Sequence, residues 1–191
     1  MNLELKAFIS RYARFSEPDL NHISEKFRKK KVEKGSFILK QGEVCTDIAF
    51  VEKGCFRLYY LKDDVEVSVW FSFQGNSAID IYSFISGEPS IYFMEAIEDS
   101  EVRYLTKTDL DKLYQSHPGM QEMIRNFWED VILNLIVRFT SLQTDTAEKR
   151  YLDLLKKPEY LNAIPQKYLA SFIGVTPTSL SRIRRLLAKK P

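Results

Sequence analysis

Short strand-like runs fill residues 32–106 of this chain, whereas the residues on both sides of them repeat with the spacing of helices. The strand-like runs are rich in β-branched and aromatic residues, and turn signals containing glycine or aspartate separate them. They cover residues 37–39, 48–51, 55–61, 65–73, 91–97 and 102–105. Many short strands joined by tight turns predict a β-sandwich or barrel in this part of the chain.

Helical spacing predicts two short helices near the N-terminus, within residues 3–15 and 19–30, with the lysines at 29–31 as a solvated helix end. After the strand-like runs, Thr108 is a suitable N-cap for a helix that ends near Pro118. A long helix without internal proline or glycine follows from Gly119 to Thr144. An amphipathic helix over residues 147–157 and a loop over 159–163 come next.

Five apolar residues repeat along the long helix in alternating steps of four and three: Trp128, Ile132, Leu135, Phe139 and Leu142. Residues with this spacing share one side of a helix, as they do in coiled coils. Further apolar residues widen this side at the start of the helix, so the helix needs two partners. One partner is the β-structure, and the other is either the same helix of a second chain or another part of the same domain.

The charges of the chain are unevenly distributed, although the total is only +2. From Gln143 to the end there are ten Lys/Arg and four Asp/Glu, and no acidic residue follows Glu159. A basic end on an acidic body suits a polyanionic partner, and a solvated basic tail is the alternative interpretation.

Residues 165–187 have the pattern of two helices with a tight turn between them. Pro165 suits a helix start, Ala170 allows close packing, and Gly174 can adopt a positive φ in the turn. Thr176 and Pro177 form a typical cap and first residue for the second helix. This arrangement predicts a helix-turn-helix that binds DNA; the alternative is a helical hairpin with an incidental basic side.

The outward side of the second helix carries short hydroxyl side chains and cations. We expect Arg182 to make a bidentate contact with guanine and the other cations to contact phosphates. The predicted DNA-binding residues are Thr176, Thr178, Ser179, Ser181, Arg182, Arg184, Arg185, Lys189 and Lys190.

Several of these motifs resemble the Crp–Fnr family of transcription regulators, and they occur in that family's order over nearly the whole chain. The run Gly-Val-Thr-Pro-Thr-Ser-Leu-Ser-Arg at 174–182 is similar to its DNA-recognition segment. Residues 34–43 and 48–54 resemble the first hairpins of its β-roll, and residues 147–152 resemble the helix that starts its DNA-binding domain. The resemblance implies a homodimer formed through the long helix and an effector pocket in the roll.

The expected effector site departs from the family's cyclic-AMP pattern. Asp80, followed by Ile81, replaces the glutamate that binds the ribose. Ser90 stands in the place of the phosphate-binding arginine, and Ile91 and Tyr92 follow it. A cyclic phosphate would therefore lack its counter-charge. The aromatic residues of this region either line an apolar effector pocket or are plain core residues; they are Trp70, Phe71, Phe73, Tyr82, Phe84, Tyr92 and Phe93.

Signatures of catalysis and of metal binding are missing. We find no phosphate-binding glycine loop, no His-Glu-x-x-His and no Gly-x-Ser-x-Gly, so no catalytic residue is assigned. Cys45 and Cys55 lack metal-ligand spacing, and His22 and His117 are isolated in the sequence, so no metal site or cofactor is identified beyond an unknown small-molecule effector. Without a signal segment or an apolar run of membrane length, we expect reduced cysteines and a cytoplasmic protein without membrane contacts.

The sequence thus predicts an α+β chain in three parts: a β-roll of jelly-roll type with flanking helices (1–117), a dimerisation helix (118–144) and an all-α helix-turn-helix domain (145–191). The predicted function is that of a bacterial transcription regulator, with double-stranded DNA, a second copy and RNA polymerase as partners. The alternative is a small-molecule-binding module with a helical dimerisation or protein-interaction tail. An enzyme built on a β-barrel would need a polar catalytic cluster in residues 32–106, and we find none there.

Overall fold

The structure of the protein is a computed structural model that describes residues 3–188. Two antiparallel four-stranded sheets form its β-rich part. The strands are β1 (Arg28–Val32), β2 (Phe37–Leu39), β3 (Asp47–Lys53), β4 (Cys55–Lys62), β5 (Val65–Phe73), β6 (Ser77–Ala78), β7 (Phe93–Ala96) and β8 (Ser100–Thr106). Their order is β1-β8-β3-β6 in one sheet and β2-β7-β4-β5 in the other. Buried residues of both sheets belong to one hydrophobic core, as in a jelly roll.

Helices precede, interrupt and follow the two sheets. They are α1 (Leu3–Tyr12), α2 (Glu17–Glu25), α3 (Ile81–Ser86), α4 (Lys107–Ser116), α5 (Gly119–Thr144), α6 (Ala147–Leu155), α7 (Pro158–Ala163), α8 (Gln166–Phe172) and α9 (Pro177–Leu187). The mixed α+β class with a β-roll and a helical C-terminal region is therefore confirmed. Lys189 and Lys190, two of the predicted DNA contacts, lie outside the described residues.

Three local predictions were wrong. The lysines at 29–31 belong to strand β1, which pairs with β8 at a sheet edge where lysine charges disfavour pairing with another chain. Helix α4 is capped by Thr106, whose Oγ1 accepts a hydrogen bond from the Asp109 backbone N–H at 3.0 Å, and not by Thr108. The loop expected over 159–163 is part of helix α7, which begins at Pro158. Tyr160 of this helix packs against residues of the sheets.

The main core joins the sheets to the helices on either side of them. Phe8 of α1, Phe50 of β3 and Phe127 of α5 are almost fully buried, and the Phe8 ring contacts both of the other rings. Aromatic contacts of this kind add to the free energy gained by apolar burial. They fix the first half of α5 on the roll, whereas most apolar side chains of its second half are exposed.

A second hydrophobic cluster joins the roll to the C-terminal helices. Cys55, Phe71 and Ile97 of the β-rich part pack there with Tyr160 and Phe172. The ring centroids of Phe71 and Phe172 are 5.2 Å apart. The C-terminal helices are therefore packed directly on the roll of the same chain.

We expect Gly54→Ala to destabilise the protein by about 2–5 kcal/mol, because overpacking adds to the strain of a positive φ. Gly54 has φ +94°, and a Cβ there would lie 2.9 Å from the Ser100 Cα. Gly35→Ala is the control, since Gly35 has φ +80° with open space around the added atom. Urea unfolding of both variants measures the difference; equal losses of stability would show that the clash with Ser100 is relieved.

Candidate nucleic-acid interface and effector cavity

The surface of α9 is built by a cap, a turn and one buried leucine. Gly174 has φ +75° in the turn after α8, and the Thr176 Oγ1 accepts a hydrogen bond from the Ser179 N–H at 3.2 Å. Leu180 is fully buried against the second hydrophobic cluster. Because Leu180 faces inward, residues about two positions away along the helix face outward.

Some of the predicted DNA-binding residues make hydrogen bonds within the chain, and others make none among the described residues. Ser179 accepts a hydrogen bond from the Thr176 hydroxyl, and Ser181 donates to the Pro177 carbonyl and accepts from the Gln166 Nε2. These hydroxyls support the local structure. Arg184 lies beside Gln166 at the rim of the surface.

Three of the predicted residues are exposed and make no hydrogen bond or ion pair within residues 3–188: Thr178, Arg182 and Arg185. Helix α9 contains three arginines and no acidic residue. The surface is therefore polar, cationic and unoccupied by other parts of the described chain. It can offer hydrogen-bond donors on the outer side of a single helix, and an α-helix fits into the major groove of DNA.

The predicted seam of α5 is split between the core and the surface. Trp128 packs against Phe84 and Phe127 and belongs partly to the main core. The other four residues are exposed, and Phe139 is the most exposed of them at 64%. Leu133, Ile136 and Val137 are exposed beside them and were missed, because a strict four–three repeat follows a narrower stripe than this helix presents.

A cavity of about 360 Å³ lies between the roll, α5 and the C-terminal helices. Strand β5 supplies the residues from Val69 to Phe73, α5 supplies Asp130, Val131, Asn134 and Leu135, and the start of α7 supplies Glu159 and Tyr160. Five of the seven aromatic residues singled out in the sequence line it: Trp70, Phe71, Phe73, Tyr82 and Tyr92. Phe84 packs on Trp128 instead, and Phe93 stacks on Tyr59.

The residues expected to bind an effector are divided by the cavity wall. Asp80, Ile81 and Tyr92 line the cavity, Ser90 is buried behind it, and Ile91 is exposed on the surface. Asp80 accepts a hydrogen bond of 2.6 Å from the Ser90 hydroxyl and caps α3 through the Ser83 N–H. The Asp80 carboxylate and the Ser90 hydroxyl are thus already paired with each other.

The charges around the cavity are mostly negative. Asp80, Asp130 and Glu159 are acidic lining residues, and Lys157 is a basic one. Burial, followed by the charge of Asp80, raises the pKa of the Tyr92 hydroxyl, which therefore stays protonated and can donate a hydrogen bond. The wall is suited to an apolar, aromatic molecule; among the described residues that line it, Lys157 is the one cation and none is the arginine that would pair with a phosphate. Asn134 and Lys157 could not be found from the sequence, because only packing brings them to β5.

The cysteines and histidines that were considered for metal or redox chemistry are buried thiols and a stacked pair of rings. Cys45 and Cys55 are buried free thiols, and burial raises the pKa of both. His22 and His117, isolated in the sequence, stack on each other with ring centroids 5.1 Å apart. Within residues 3–188 there is no group of three or more His, Cys, Asp or Glu that could bind a metal ion. No helix in that range has the length and apolarity to cross a membrane.

Known proteins share this architecture at low sequence identity. A family model described as the Cyclic nucleotide-binding domain matches residues 29–117, and no curated protein matches the chain. The structure of FixK2 from Bradyrhizobium japonicum is 19% identical with a TM-score of 0.71, covering 85% of this chain and 84% of its own. The c-di-GMP-responsive global regulator CLP of Xanthomonas campestris is 13% identical with a TM-score of 0.71, covering 91% and 92%.

A mutant of CooA from Carboxydothermus hydrogenoformans is 15% identical with a TM-score of 0.70, covering 88% of this chain and 79% of its own. These three proteins are CRP/FNR-type regulators. The chain therefore shares its fold with these three proteins: residues 29–117 match the model of a cyclic nucleotide-binding domain, and a helical C-terminal region follows.

Proposed function

We propose that this protein is a homodimeric DNA-binding transcription regulator whose helix α9 enters the major groove. The observation that carries the proposal is the exposed surface of α9, where Thr178, Arg182 and Arg185 have no partner within the described residues. A helix that presents short polar and arginine side chains, and no acid, is suited to base edges between phosphates. The fold shared with CRP/FNR-type regulators supports the same function.

The second half of α5 supports the homodimer. Its exposed apolar side chains include Ile136, Val137 and Phe139, and a water-facing apolar strip of this length marks an interaction surface. A two-fold dimer would place two copies of α9 on neighbouring major-groove turns. In a bacterial cytoplasm, such a dimer would act through contacts with RNA polymerase.

The alternative function is a small-molecule-binding module in which the helical tail serves only for dimerisation or protein contacts. The cavity favours it, since its wall extends to Glu159 and Tyr160 of the tail. Selection of bound sequences from a random duplex library with the purified protein separates the two functions. Recovery of a two-fold symmetric sequence supports the regulator, whereas a failure to enrich any sequence supports the binding module.

We expect no tight binding of cyclic AMP, although residues 29–117 match the model of a cyclic nucleotide-binding domain. The Asp80 carboxylate is paired with Ser90, and none of the described residues that line the cavity is an arginine. An unpaired, desolvated phosphate loses a charge-assisted interaction of about 1.5–3 kcal/mol. Isothermal titration calorimetry tests this, with cyclic GMP and an uncharged aromatic molecule as comparison ligands. A Kd for cyclic AMP at or below about 10 μM, close to 7 kcal/mol of binding, would refute the expectation.

A further inference from the structure

The C-terminal helices are joined to the roll by polar contacts as well as by the second hydrophobic cluster. Strand β5 is an edge strand, so its outward backbone groups need partners. Ser171 of α8 provides them: its Oγ accepts a hydrogen bond from the Ser68 N–H at 2.9 Å and donates to the Glu66 carbonyl at 3.1 Å. One hydroxyl thus replaces a neighbouring strand at this edge.

Arg57 of β4 is completely buried where the roll meets α8. Its guanidinium carbon lies 3.6 Å from the ring centroid of Tyr168 and 4.2 Å from that of Tyr59. The Nε donates to the Ser68 Oγ at 2.9 Å, and the Nη1 donates to a Glu66 carboxylate oxygen at 2.7 Å. Arg57 therefore stacks on Tyr168 of α8 while it is hydrogen-bonded to strand β5.

Arg138 of α5 connects the long helix, β5 and α8. The register between β4 and β5 shifts at Val69, and the Val69 carbonyl accepts a hydrogen bond of 2.9 Å from the Arg138 Nε. The Nη2 donates at 2.7 Å to the carbonyl of Phe172, the last residue of α8, and the guanidinium lies 3.5 Å from the Phe172 ring centroid. A helix C-terminus attracts cations because its last carbonyls lack intrahelical partners.

Burial lowers the pKa of Arg138 to about 10, and within residues 3–188 its hydrogen bonds go to backbone carbonyls and not to a carboxylate. The guanidinium is still charged at neutral pH, so two backbone carbonyls and one ring must compensate for its lost hydration. An apolar side chain could fill the same space without such compensation, so the charged guanidinium is needed for its hydrogen bonds. Both carbonyls belong to elements that would separate if the C-terminal helices moved off the roll.

We propose that Arg57, Arg138 and Ser171 form a clasp that fixes α8 on the edge of β5 and thereby sets the direction in which α9 points. This inference rests on the proposed DNA binding and adds positioning residues to it. The clasp also connects the effector cavity to α9, because Val69 lines the cavity and is bonded to Arg138.

The clasp positions α9 without blocking it. Thr178, Arg182 and Arg185 are exposed while the clasp is closed, so DNA can reach them in this arrangement. A recognition helix that is fixed beforehand loses less conformational freedom on binding than one on a mobile unit. Opening the clasp should therefore weaken DNA binding.

The test compares Arg138→Met with Arg125→Met, the same substitution on an exposed arginine of the same helix. Amide hydrogen exchange is the first readout, since the Ser68 N–H is itself a bond of the clasp. In Arg138→Met we expect exchange at Ser68 and along α8 to accelerate by at least about tenfold, with slow exchange of Val51 and Val102 unchanged. Ser171→Ala removes the acceptor of the Ser68 N–H itself, so exchange at Ser68 should accelerate at least as much, whereas along α8 the acceleration should be smaller.

Fluorescence anisotropy with the selected duplex is the second readout. Arg138→Met should weaken binding by about tenfold or more, Arg138→Lys should restore part of the loss, and Arg125→Met should bind like the wild type. Unchanged exchange at Ser68 and α8 would refute the clasp. Faster exchange with unchanged or tighter DNA binding would refute the positioning role. If the wild type binds no duplex, the proposed function fails, and with it the positioning role, while the exchange data still decide whether the clasp exists.

Discussion

Phe139→Asp should convert the protein from a dimer into a monomer at micromolar concentration and remove most of its DNA binding. Phe139 is 64% exposed in the single chain and lies on the apolar strip of α5, so a second copy would bury it. Losing that burial costs about 1.5–3 kcal/mol per chain, and a two-fold interface loses it twice. The expected loss of about 3–6 kcal/mol corresponds to a Kd for the dimer that is roughly a hundredfold to ten-thousandfold higher.

Phe139 is a better test position than Leu135, because Leu135 also lines the cavity and its replacement could alter effector binding. Leu3→Asp is the matched control: Leu3 is 69% exposed, and an acidic residue suits the start of α1. Light scattering gives the mass, and anisotropy gives the DNA affinity. A wild-type monomer, or a Phe139→Asp protein that keeps the wild-type mass, would show that the apolar strip serves another purpose.

The helix pair that carries the proposed DNA contacts could be predicted because its determinants are local. Gly174, Thr176, Pro177 and Leu180 specify the turn, the cap, the first residue and the buried side within seven positions. Each acts through its own backbone geometry or through neighbours one helical turn away. α8 and α9 accordingly lie where the sequence pattern predicts two helices.

Elements that depend on distant partners could not be predicted in the same way. Helix α7 is six residues long, too short to show a period, and the Tyr160 ring centroid lies 4.8 Å from that of Phe73. Strand β1 has one buried residue, Val32, so no alternation of polar and apolar residues marks it. Its conformation comes from pairing with β8, which follows about seventy residues later in the sequence.

The cavity likewise has one wall that the sequence could indicate and one that it could not. Resemblance to a known family pointed to Asp80 and Tyr92, and both line it. The opposite wall, with Asp130 and Asn134, depends on how α5 crosses the roll, which packing of the whole core decides. Sequence patterns specify faces of single elements, whereas a cavity between elements is specified by the angles at which they pack.

Arg182→Ala should lower the affinity for the selected duplex by about 1–3 kcal/mol, roughly five- to 150-fold, and relax the preference at one base step. Arg182 is two positions after Leu180, which points inward, so its side chain points away from the body of the protein. Arg184 is the matched control, since it lies at the rim beside Gln166, where a phosphate contact is expected.

The two arginines should differ in specificity and in salt dependence when both variants are titrated against the selected and a scrambled duplex at several salt concentrations. Arg184→Ala should weaken both duplexes alike and lower the salt slope by about one unit, because a phosphate contact releases counterions whatever the sequence. Arg182→Ala should weaken mainly the selected duplex, because its loss removes a base contact that the scrambled duplex never offered. If Arg182→Ala weakened both duplexes equally, Arg182 would be a phosphate contact, and the base-reading side of α9 would have to be sought at Thr178 and Arg185, the other unengaged residues of this surface.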